Sequence, residues 1–543
     1  MRRTDTRGLF LALPLTILLA ATPGCRRHEL PEVTLRGDPF DRVRSLIEET
    51  FHKHDVASVA IAAARDGRIV WEEAFGWSDR DERVAATPDS IYALASISKS
   101  FTATGLMVLV ERGLVELDRP INEYLGGAKL VSYVGDAEEV TVRQVLEHTA
   151  GLPMHHNIFF RSRTARPPDQ DESIRRYGII VGPPGREYVY SNFGYGLLDR
   201  VISTVSGRSY AEFMAEELFG PLGLTHTSVL ANPSLRAQTV THYDVAGGIV
   251  PPLDFDHRGA SAVHSSVHDL IRYGMFHLHN EVSAQGPILS LQTIDMMHEP
   301  SEITLAAETE AEVRSGLGWA VVDVAGERFL VASGGMPGTT TRLALVPERN
   351  AAVALAFNSG GGAAADYSPW RIEWETFAAL IPEFPEAPEI DAEVPHRTPL
   401  PERLRGDWAG SIKTYEGDVE AALTIRRYPR IVLAIDGKEA GPIGGSNPLG
   451  RLSFEDGVLE GPFFGSIPSS DCRRSNHVVF LRLREVGDSL GGVAACVAMD
   501  RSFWLPHWME LKKVGATGDR HHSEEESGSA FLKRAEKERH AAG

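Results

Sequence analysis

The chain has 543 residues, too many for one compact core, so two or more domains are expected. Hydrophobic residues make up 43% and charged residues 24%, which is ordinary for a globular protein. The formal net charge of −19 argues against a nucleic-acid partner, because phosphate binding needs a basic surface.

The N-terminus has the pattern of an export signal. A basic segment (1–8) precedes an apolar run of 13 residues (9–21), which has the length of a signal-peptide core. "TPGC" follows and ends at Cys25, where a small residue before Cys resembles a bacterial lipoprotein cleavage box. Thr22 stands where that box usually has Leu, so lipidation of Cys25 and plain export both stay open. We expect a signal segment over 1–25 and a periplasmic or membrane-anchored protein.

The two remaining cysteines, Cys472 and Cys496, are 24 residues apart. In an oxidising compartment they predict a disulfide, with two buried thiols as the alternative. Too few cysteines are present for a zinc cluster, and the sequence holds no H-E-x-x-H motif. The sequence predicts no cofactor and no metal.

The first 380 residues read as a mixture of helices and strands. Apolar spacing predicts a helix over 39–54, and two apolar runs joined by Asp66-Gly67 predict a β-hairpin over 56–76. Residues 98–117 are apolar nearly all round, which is typical of a buried helix. Consecutive strands are predicted over 327–359. A hairpin early and strands late suggest one antiparallel sheet completed by both ends of this domain (26–380).

After residue 380 the composition and the spacing of apolar residues change. Residues 381–402 hold six prolines and several acids and predict a linker. Short alternating apolar runs with Gly turns over 403–515 predict an all-β domain, a sandwich or small barrel. Residues 516–543 are polar and charge-mixed and predict a disordered tail.

Ser96 and Lys99 open the most apolar predicted helix. Residues three apart share a helix face, so a neutral amine at Lys99 can take the Ser96 proton for attack on a carbonyl. That requires a Lys pKa far below its reference of about 10.4, which burial or a second cation produces. The chain has only nine lysines and a single S-x-x-K. A chance pair is the alternative that spacing leaves open.

A second candidate element is the Tyr190-Ser191-Asn192 segment on a Gly/Pro-bounded loop before a predicted helix. A phenol near a lysine can be partly ionised and relay a proton to a leaving group, and the Asn amide can hold a substrate carbonyl. The alternative is a helix cap, a position that Ser and Asn favour.

Several ordered motifs resemble those of the serine β-lactamase and penicillin-binding-protein superfamily, most closely its class C-like β-lactamases, esterases and D-aminopeptidases. They are "SISK" (96–99), "VLEHTAGLP" (145–153), "PGREYVYSN" (184–192) and "PLGLTHTS" (221–228). The resemblance covers about residues 40–360 and implies an α/β (α+β) fold, an antiparallel sheet flanked by helices. It implies that Ser96 is the nucleophile, Lys99 its base, Tyr190 a proton-transfer partner and Asn192 a substrate-orienting group. The C-terminal domain is similar to the lipocalin-like domains that follow such hydrolases.

One position departs from this resemblance. The third motif of the superfamily is K-T-G or H-x-G, and the matching "VASGGMPG" (331–338) places Ala332 at the cation position. Ser333 and Gly334 keep the rest of the motif. The missing cation would bind a substrate carboxylate, so neutral esters or amides suffer less from its loss than β-lactams or D-amino-acid peptides. Arg342 on the next strand is a candidate replacement, with a solvent-facing side chain as the alternative.

The resemblance also places two oxyanion-binding N–H groups on Ser96 and Gly335. Gly334 and Gly335 would let the substrate approach the strand closely, although a bulged strand explains them too. We interpret His148, His155 and His156 as structural, because no Asp partner is evident and no G-x-S-x-G elbow occurs.

The sequence thus predicts an exported serine hydrolase acting through an acyl-enzyme on an ester, amide or β-lactam carbonyl, with esterase-like activity favoured. The alternatives are a non-catalytic binding or sensor protein on the same fold, and a role set by a lipid or cell-wall ligand of the β domain. The expected partner is a small-molecule or peptidic carbonyl substrate, with no nucleic acid.

Overall fold

The protein is described from a computed structural model. The structure describes residues 37–283, 286–307, 311–360, 369–388, 400–426, 431–443, 452–455 and 457–514. The predicted signal segment with Cys25, residues 389–399 of the predicted linker and the predicted tail lie outside the described residues.

Eleven α-helices are described in these ranges, all within the first 380 residues. They are α1 (Asp41–Lys53), α2 (Ser98–Glu111), α3 (Val142–Leu146), α4 (Gln170–Tyr177), α5 (Asn192–Ser206), α6 (Tyr210–Met214), α7 (Gly220–Leu222), α8 (Arg258–Ser261), α9 (Val267–His277), α10 (Leu291–His298) and α11 (Pro369–Leu380).

The strands fall into two groups, one before and one after the predicted linker. The first group is β1 (Ser58–Arg65), β2 (Arg68–Asp79), β3 (Val84–Ala85), β4 (Tyr92–Ala93), β5 (Val131–Ser132), β6 (His156–Phe160), β7 (Ile179–Ile180), β8 (Ser228–Val229), β9 (Leu253–Phe255), β10 (Val263–Ser265), β11 (Thr304–Ala307), β12 (Ala311–Ser315), β13 (Ala320–Val324), β14 (Glu327–Met336), β15 (Thr339–Val346) and β16 (Ala351–Phe357). The second is β17 (Gly406–Thr414), β18 (Gly417–Ile425), β19 (Ile431–Ile435), β20 (Lys438–Ala440), β21 (Ser453–Glu455), β22 (Val458–Phe463), β23 (His477–Val486), β24 (Ser489–Ala498) and β25 (Phe503–Lys513).

A nine-stranded antiparallel sheet organises the first part of the chain. Its order is β11-β12-β13-β14-β15-β16-β1-β2-β3, so the early hairpin joins the late strands through β1 and β16. The hairpin turns where it was predicted, at Asp66 (φ 51°) and Gly67 (φ 73°), because both residues tolerate the left-handed backbone of a tight turn. The predicted sheet, completed by both ends of the domain, is confirmed.

Helices cover both faces of this sheet. On one face, α1 and α11 pack over an apolar cluster that includes Val59, Phe329 and Phe377. The other face carries the largest core, which contains most of α2, α5 and α9. Burial of α2 on all sides explains its sequence, which is apolar nearly all round.

The described residues after the predicted linker form an all-β fold, as predicted. Its strands follow the order β20-β19-β18-β17-β25-β24-β23-β22-β21, and every neighbouring pair is antiparallel. Cys472, in a short turn before β23, forms a disulfide with Cys496 on β24. The disulfide prediction is therefore confirmed over the alternative of two free thiols.

The C-terminal sheet also pairs with the first part of the chain. Strand β6 lies antiparallel to β25, with Asn157 opposite Phe503 and His156 opposite Trp504. Met154 and Val181 pack on the apolar face of β23, β24 and β25. The segment before β6 and the residue that follows β7 therefore pack on the C-terminal sheet.

Within the ranges given above, no helix is long and apolar enough to cross a lipid bilayer.

Candidate active site

Ser96 lies at the junction between β4 and α2. A short turn (95–97) leads directly into α2, and Ala95 adopts φ 49°, a left-handed backbone that is unusual for a residue with a Cβ. Ser96 is partly exposed, whereas Lys99 in the first turn of α2 is only 5% exposed. Lys99 Nζ lies 3.0 Å from Ser96 Oγ, so the predicted serine–lysine pair is formed.

Three oxygen atoms surround the Lys99 amine. Besides Ser96 Oγ, Nζ lies 2.7 Å from Asn192 Oδ1 and 3.1 Å from the carbonyl oxygen of Ala260. Burial lowers the pKa of Lys99 well below its usual value, which favours the neutral amine. A neutral amine has two N–H groups and one lone pair. Because the two carbonyl oxygens can only accept, they take both N–H groups and leave the lone pair for the Ser96 hydroxyl.

Tyr190 reaches Ser96 from the opposite side. Its hydroxyl donates to Ser96 Oγ at 2.8 Å, and Lys99 Nζ lies 4.7 Å from its ring centroid. Burial raises the pKa of Tyr190 to about 12, despite the opposing effect of the hydrogen bond to Ser96. The expectation of a partly ionised phenol is therefore wrong, because burial disfavours the phenolate and favours the protonated hydroxyl near neutral pH.

The loop that carries Tyr190 is fixed by the start of α5. Ser191 is the N-cap, and its side chain accepts from the N–H of Gly194 at 3.3 Å. The N–H of Ser191 donates to His148 Nδ1 at 3.1 Å, and the His148 ring packs 4.7 Å from that of Tyr190. The capping role thus falls to Ser191, which leaves the Asn192 amide free to contact Lys99.

The third-motif segment lies on β14. Ala332 and Gly334 share the sheet face that meets the main core, and a Cβ at Gly334 would collide with the Leu94 carbonyl and lie 3.0 Å from the Ser96 nitrogen. Gly334 therefore packs directly beneath Ser96, where only glycine fits. Ser333 and Gly335 are exposed.

Arg342 does not reach this site. It pairs with Ser333 in register, on the face opposite Ala332, and its guanidinium donates to Glu373 of α11 at 2.8 and 2.9 Å. Because Thr341 and Leu343 point to the core face, alternation along β15 turns Arg342 away from Ser96. Both predictions for Arg342 are therefore wrong. Its guanidinium does not replace the missing cation, and it is paired with Glu373 rather than directed into solvent.

A buried polar cluster behind Asn192 was not anticipated. The Asp256 carboxylate lies 3.2 Å from His155 Nε2, 2.6 Å from His257 Nδ1 and 2.9 Å from Asn157 Nδ2. All four side chains are buried. The only sequence signal was the pair of polar segments at 155–157 and 256–257, about 100 residues apart, and nothing in their spacing links them.

Two side-chain groups among the described residues lie close enough to hold a metal ion. One is Cys472, Cys496 and His507, where the sulfurs are already joined in the disulfide. The other is His155, Asp256 and His257, where the carboxylate already accepts from three donors. Hydrogen bonds or the disulfide thus engage the ligand atoms in both groups.

Known proteins share this architecture. The family model described as Beta-lactamase matches residues 43–376, more than half of the chain. Penicillin-binding protein 4* of Bacillus subtilis (strain 168) is 32% identical over 206 residues, which are 37% of this chain and 44% of that protein. The match therefore spans less than half the length of this relative.

Two solved structures extend the likeness to the fold. The octameric penicillin-binding protein homologue from Pyrococcus abyssi superposes with a TM-score of 0.55 at 22% identity, covering 87% of this chain and 99% of that chain. A class C beta-lactamase superposes with a TM-score of 0.52 at 18% identity, covering 63% of this chain and 96% of that chain. At these identities the likeness establishes the fold.

Proposed function

The chain belongs to the β-lactamase family of serine hydrolases, and we propose that Ser96 forms an acyl-enzyme with an ester, amide or β-lactam carbonyl. The observation that carries this proposal is the set of three oxygens around Lys99, which directs the lone pair of a buried neutral amine at the Ser96 hydroxyl. A serine activated in this way is a nucleophile rather than a structural hydroxyl.

Acylation begins with proton transfer from Ser96 Oγ to Lys99 Nζ while Oγ attacks the carbonyl carbon. The backbone N–H groups of Ser96 and Gly335 are the proposed donors to the oxyanion. The C–O or C–N bond then breaks as Tyr190 gives its proton to the leaving group, and the Lys99 ammonium returns a proton to the phenolate. Asn192 keeps the amine oriented throughout.

Deacylation uses the same groups in reverse. A water molecule gives its proton to the Lys99 amine and attacks the acyl carbonyl. The Ser96 oxygen then recovers its proton from the Lys99 ammonium, either directly or through Tyr190, whose phenolate Lys99 reprotonates. The acyl bond to Ser96 breaks and the carboxylic acid leaves, so the site returns to its starting protonation.

We propose neutral esters as the preferred substrates. Ala332 places a methyl group where the superfamily motif has a cation, and Arg342 is engaged by Glu373 on the far face of the sheet. A substrate carboxylate would therefore meet no positive charge at this position. A neutral ester has no carboxylate to bind there, so it loses less by the absence of the cation.

A fluorophosphonate probe and p-nitrophenyl acetate test the proposal. We expect labelling of Ser96, a burst of p-nitrophenol, and loss of both in S96A and K99M. Tyr190→Phe should lose about 100-fold or more on an alkyl ester, yet little on p-nitrophenyl acetate, because only the alkoxide needs the proton. No labelling and no turnover by the folded protein would favour the non-catalytic sensor instead.

We also propose that the protein is exported, free in the periplasm or anchored through a lipid on Cys25. The support is the N-terminal pattern of residues 1–25 and the Cys472–Cys496 disulfide, which suits an oxidising compartment. Labelled palmitate should enter the wild-type protein and not Cys25→Ala if the lipid is present. Equal incorporation into both would exclude Cys25 as the anchor.

A further inference from the structure

The orientation of the Asn192 amide decides whether Lys99 can act as a base. Asn192 Nδ2 donates to the carbonyl oxygen of His155 at 2.9 Å, so the amide must turn its oxygen toward Lys99 Nζ. If the amide were reversed, its NH2 group would face the amine and compete with Ser96 for the lone pair. The position of the His155 carbonyl therefore determines the direction of the Lys99 hydrogen bonds.

Asp256 fixes the residue that carries this carbonyl. Its carboxylate lies 3.2 Å from His155 Nε2, and its other donors are His257 Nδ1 and Asn157 Nδ2. Burial alone would raise the pKa of Asp256, but the fields and hydrogen bonds of His155 and His257 outweigh it and hold the pKa below its usual range. An ionised carboxylate only accepts, so both imidazoles turn an N–H toward it.

The chain of hydrogen bonds continues into the C-terminal sheet region. Asn157 is oriented by Arg474, which donates to its Oδ1 and leaves Nδ2 for Asp256. Arg474 also lies over the ring of Phe159, with 4.4 Å from its guanidinium carbon to the ring centroid. It belongs to the short turn that starts at Cys472, which the disulfide ties to β24.

The stability of the fold alone does not require a carboxylate in this place. A fully buried carboxylate is costly to desolvate, and apolar side chains of similar volume are often at least as stable in such a place. Here the charge lies beside the residue whose carbonyl orients the catalytic amide.

We propose that Asp256 is a positioning residue for the Ser96 site, and that Arg474 of the C-terminal region completes the hydrogen-bonded chain that orients Asn192 and Lys99. This inference rests on the proposed function. It assigns the C-terminal region a direct part in arranging the hydrolase site. The contacts that carry it are Arg474–Asn157, Asn157–Asp256, Asp256–His155, His155–Asn192 and Asn192–Lys99.

The primary test is Asp256→Asn in the full-length protein. Asn has the same shape but one acceptor oxygen, so at least one of the three donors loses its partner. We expect kcat on p-nitrophenyl acetate to fall about 100-fold, as misplaced catalytic groups do, with KM within about twofold. The rate of Ser96 labelling by a fluorophosphonate should fall by the same factor, because both reactions need the oriented amine.

Arg474→Met is tested beside Arg163→Met as a matched control. Arg163 also lies over a β6 phenylalanine, with 4.6 Å from its guanidinium carbon to the Phe160 ring centroid, and it forms an ion pair with Asp500 across the same junction. It takes no part in the series of hydrogen bonds that leads to Asn192. We expect R474M to lose at least tenfold in kcat and R163M less than twofold. The double variant D256N/R474M should lose no more than the worse single variant, because both interrupt one chain.

The outcomes separate the inference from the function on which it rests. If the wild-type protein reacts and S96A does not, while D256N keeps activity within about twofold, the inference is overturned and the hydrolase stands. Equal losses in R474M and R163M would overturn the role of Arg474. Should D256N fail to fold, the comparison of R474M with R163M still decides. A wild-type protein as inert as S96A would refute the proposed function itself.

Discussion

At the scale of single residues, the proposed mechanism makes the rate depend on the charge of Lys99. Only the neutral amine can take the Ser96 proton, so kcat/KM for a neutral ester should fall as pH drops through the lowered pKa of Lys99. Because burial lowers that pKa well below 10.5, full activity is expected well before pH 10.5. Tyr190, with a pKa of about 12, should add no alkaline loss below pH 11 or so.

A pH–rate profile on p-nitrophenyl acetate measures the pKa that controls the acidic limb. Tyr190→Phe is the control, since it leaves the Lys99 amine in place and should keep the same acidic limb. An activity that rises only above pH 10.5 would contradict a buried neutral lysine.

Ala332 makes a second prediction at this scale. It is 7% exposed and shares its sheet face with Gly334, which packs beneath Ser96. In Ala332→Lys, a hydrogen bond to a charged group, worth about 1.5–3 kcal/mol, becomes available to a substrate carboxylate. We expect the ratio of nitrocefin to p-nitrophenyl acetate acylation to rise about 10- to 100-fold. Ala332→Met adds an unbranched side chain of similar size without the charge and should leave this ratio unchanged.

The residues of the site differ in how far sequence could predict them. Ser96 and Lys99 are separated by one helical turn, so local spacing alone brings them together. Tyr190 and Asn192 lie almost 100 residues away, and only resemblance to known motifs linked them to the pair. Asp256 belongs to no such motif, so its place behind Asn192 appears only in the fold.

At the scale of elements, local patterns predicted the long regular segments and missed the junctions. The helix predicted over 98–117 ends at Glu111, because Gly113 adopts φ 69° and the N–H of Leu114 bonds back to Leu109. Strand β6 was not predicted. It has five residues and is stabilised by β9 on one side and β25 on the other, partners that are distant in sequence.

The Cys472–Cys496 disulfide gives a prediction for an element. It joins the turn before β23 to β24 and closes a loop with a sequence separation of 24 residues. Loop-closure entropy for this length is worth about 3 kcal/mol, so C472A/C496A should lose about that much free energy of unfolding. Urea unfolding measures the difference, and the reduced wild-type protein should match the double variant. Equal stability of the oxidised wild type and the double variant would show that the bond adds nothing.

At the scale of the whole molecule, the parts before and after the predicted linker are joined by strand pairing and by ion pairs. Strand β6 extends the C-terminal sheet, and Arg176, Arg163 and Glu187 bind Asp471, Asp500 and Arg484 across the junction. The sequence patterns correctly predicted an α/β fold followed by an all-β fold, because the apolar spacing of helices and of short strands differs. They could not predict the junction between the two, which combines polar groups and short apolar segments from both sides of the linker.

Removal of the C-terminal region tests whether the Ser96 site depends on that region. A chain ending at residue 402 would leave β6 without β25, expose Met154 and Val181, and leave Asn157 without Arg474. We therefore expect it to lose activity even on p-nitrophenyl acetate and to melt at a lower temperature. The matched control is the full chain with a protease site inserted within 389–399 and then cleaved. Both pieces remain associated through the junction, so its activity should persist. If instead the truncated chain hydrolyses small esters normally and fails only on large substrates, the C-terminal domain is a ligand-binding module and not part of the hydrolase site.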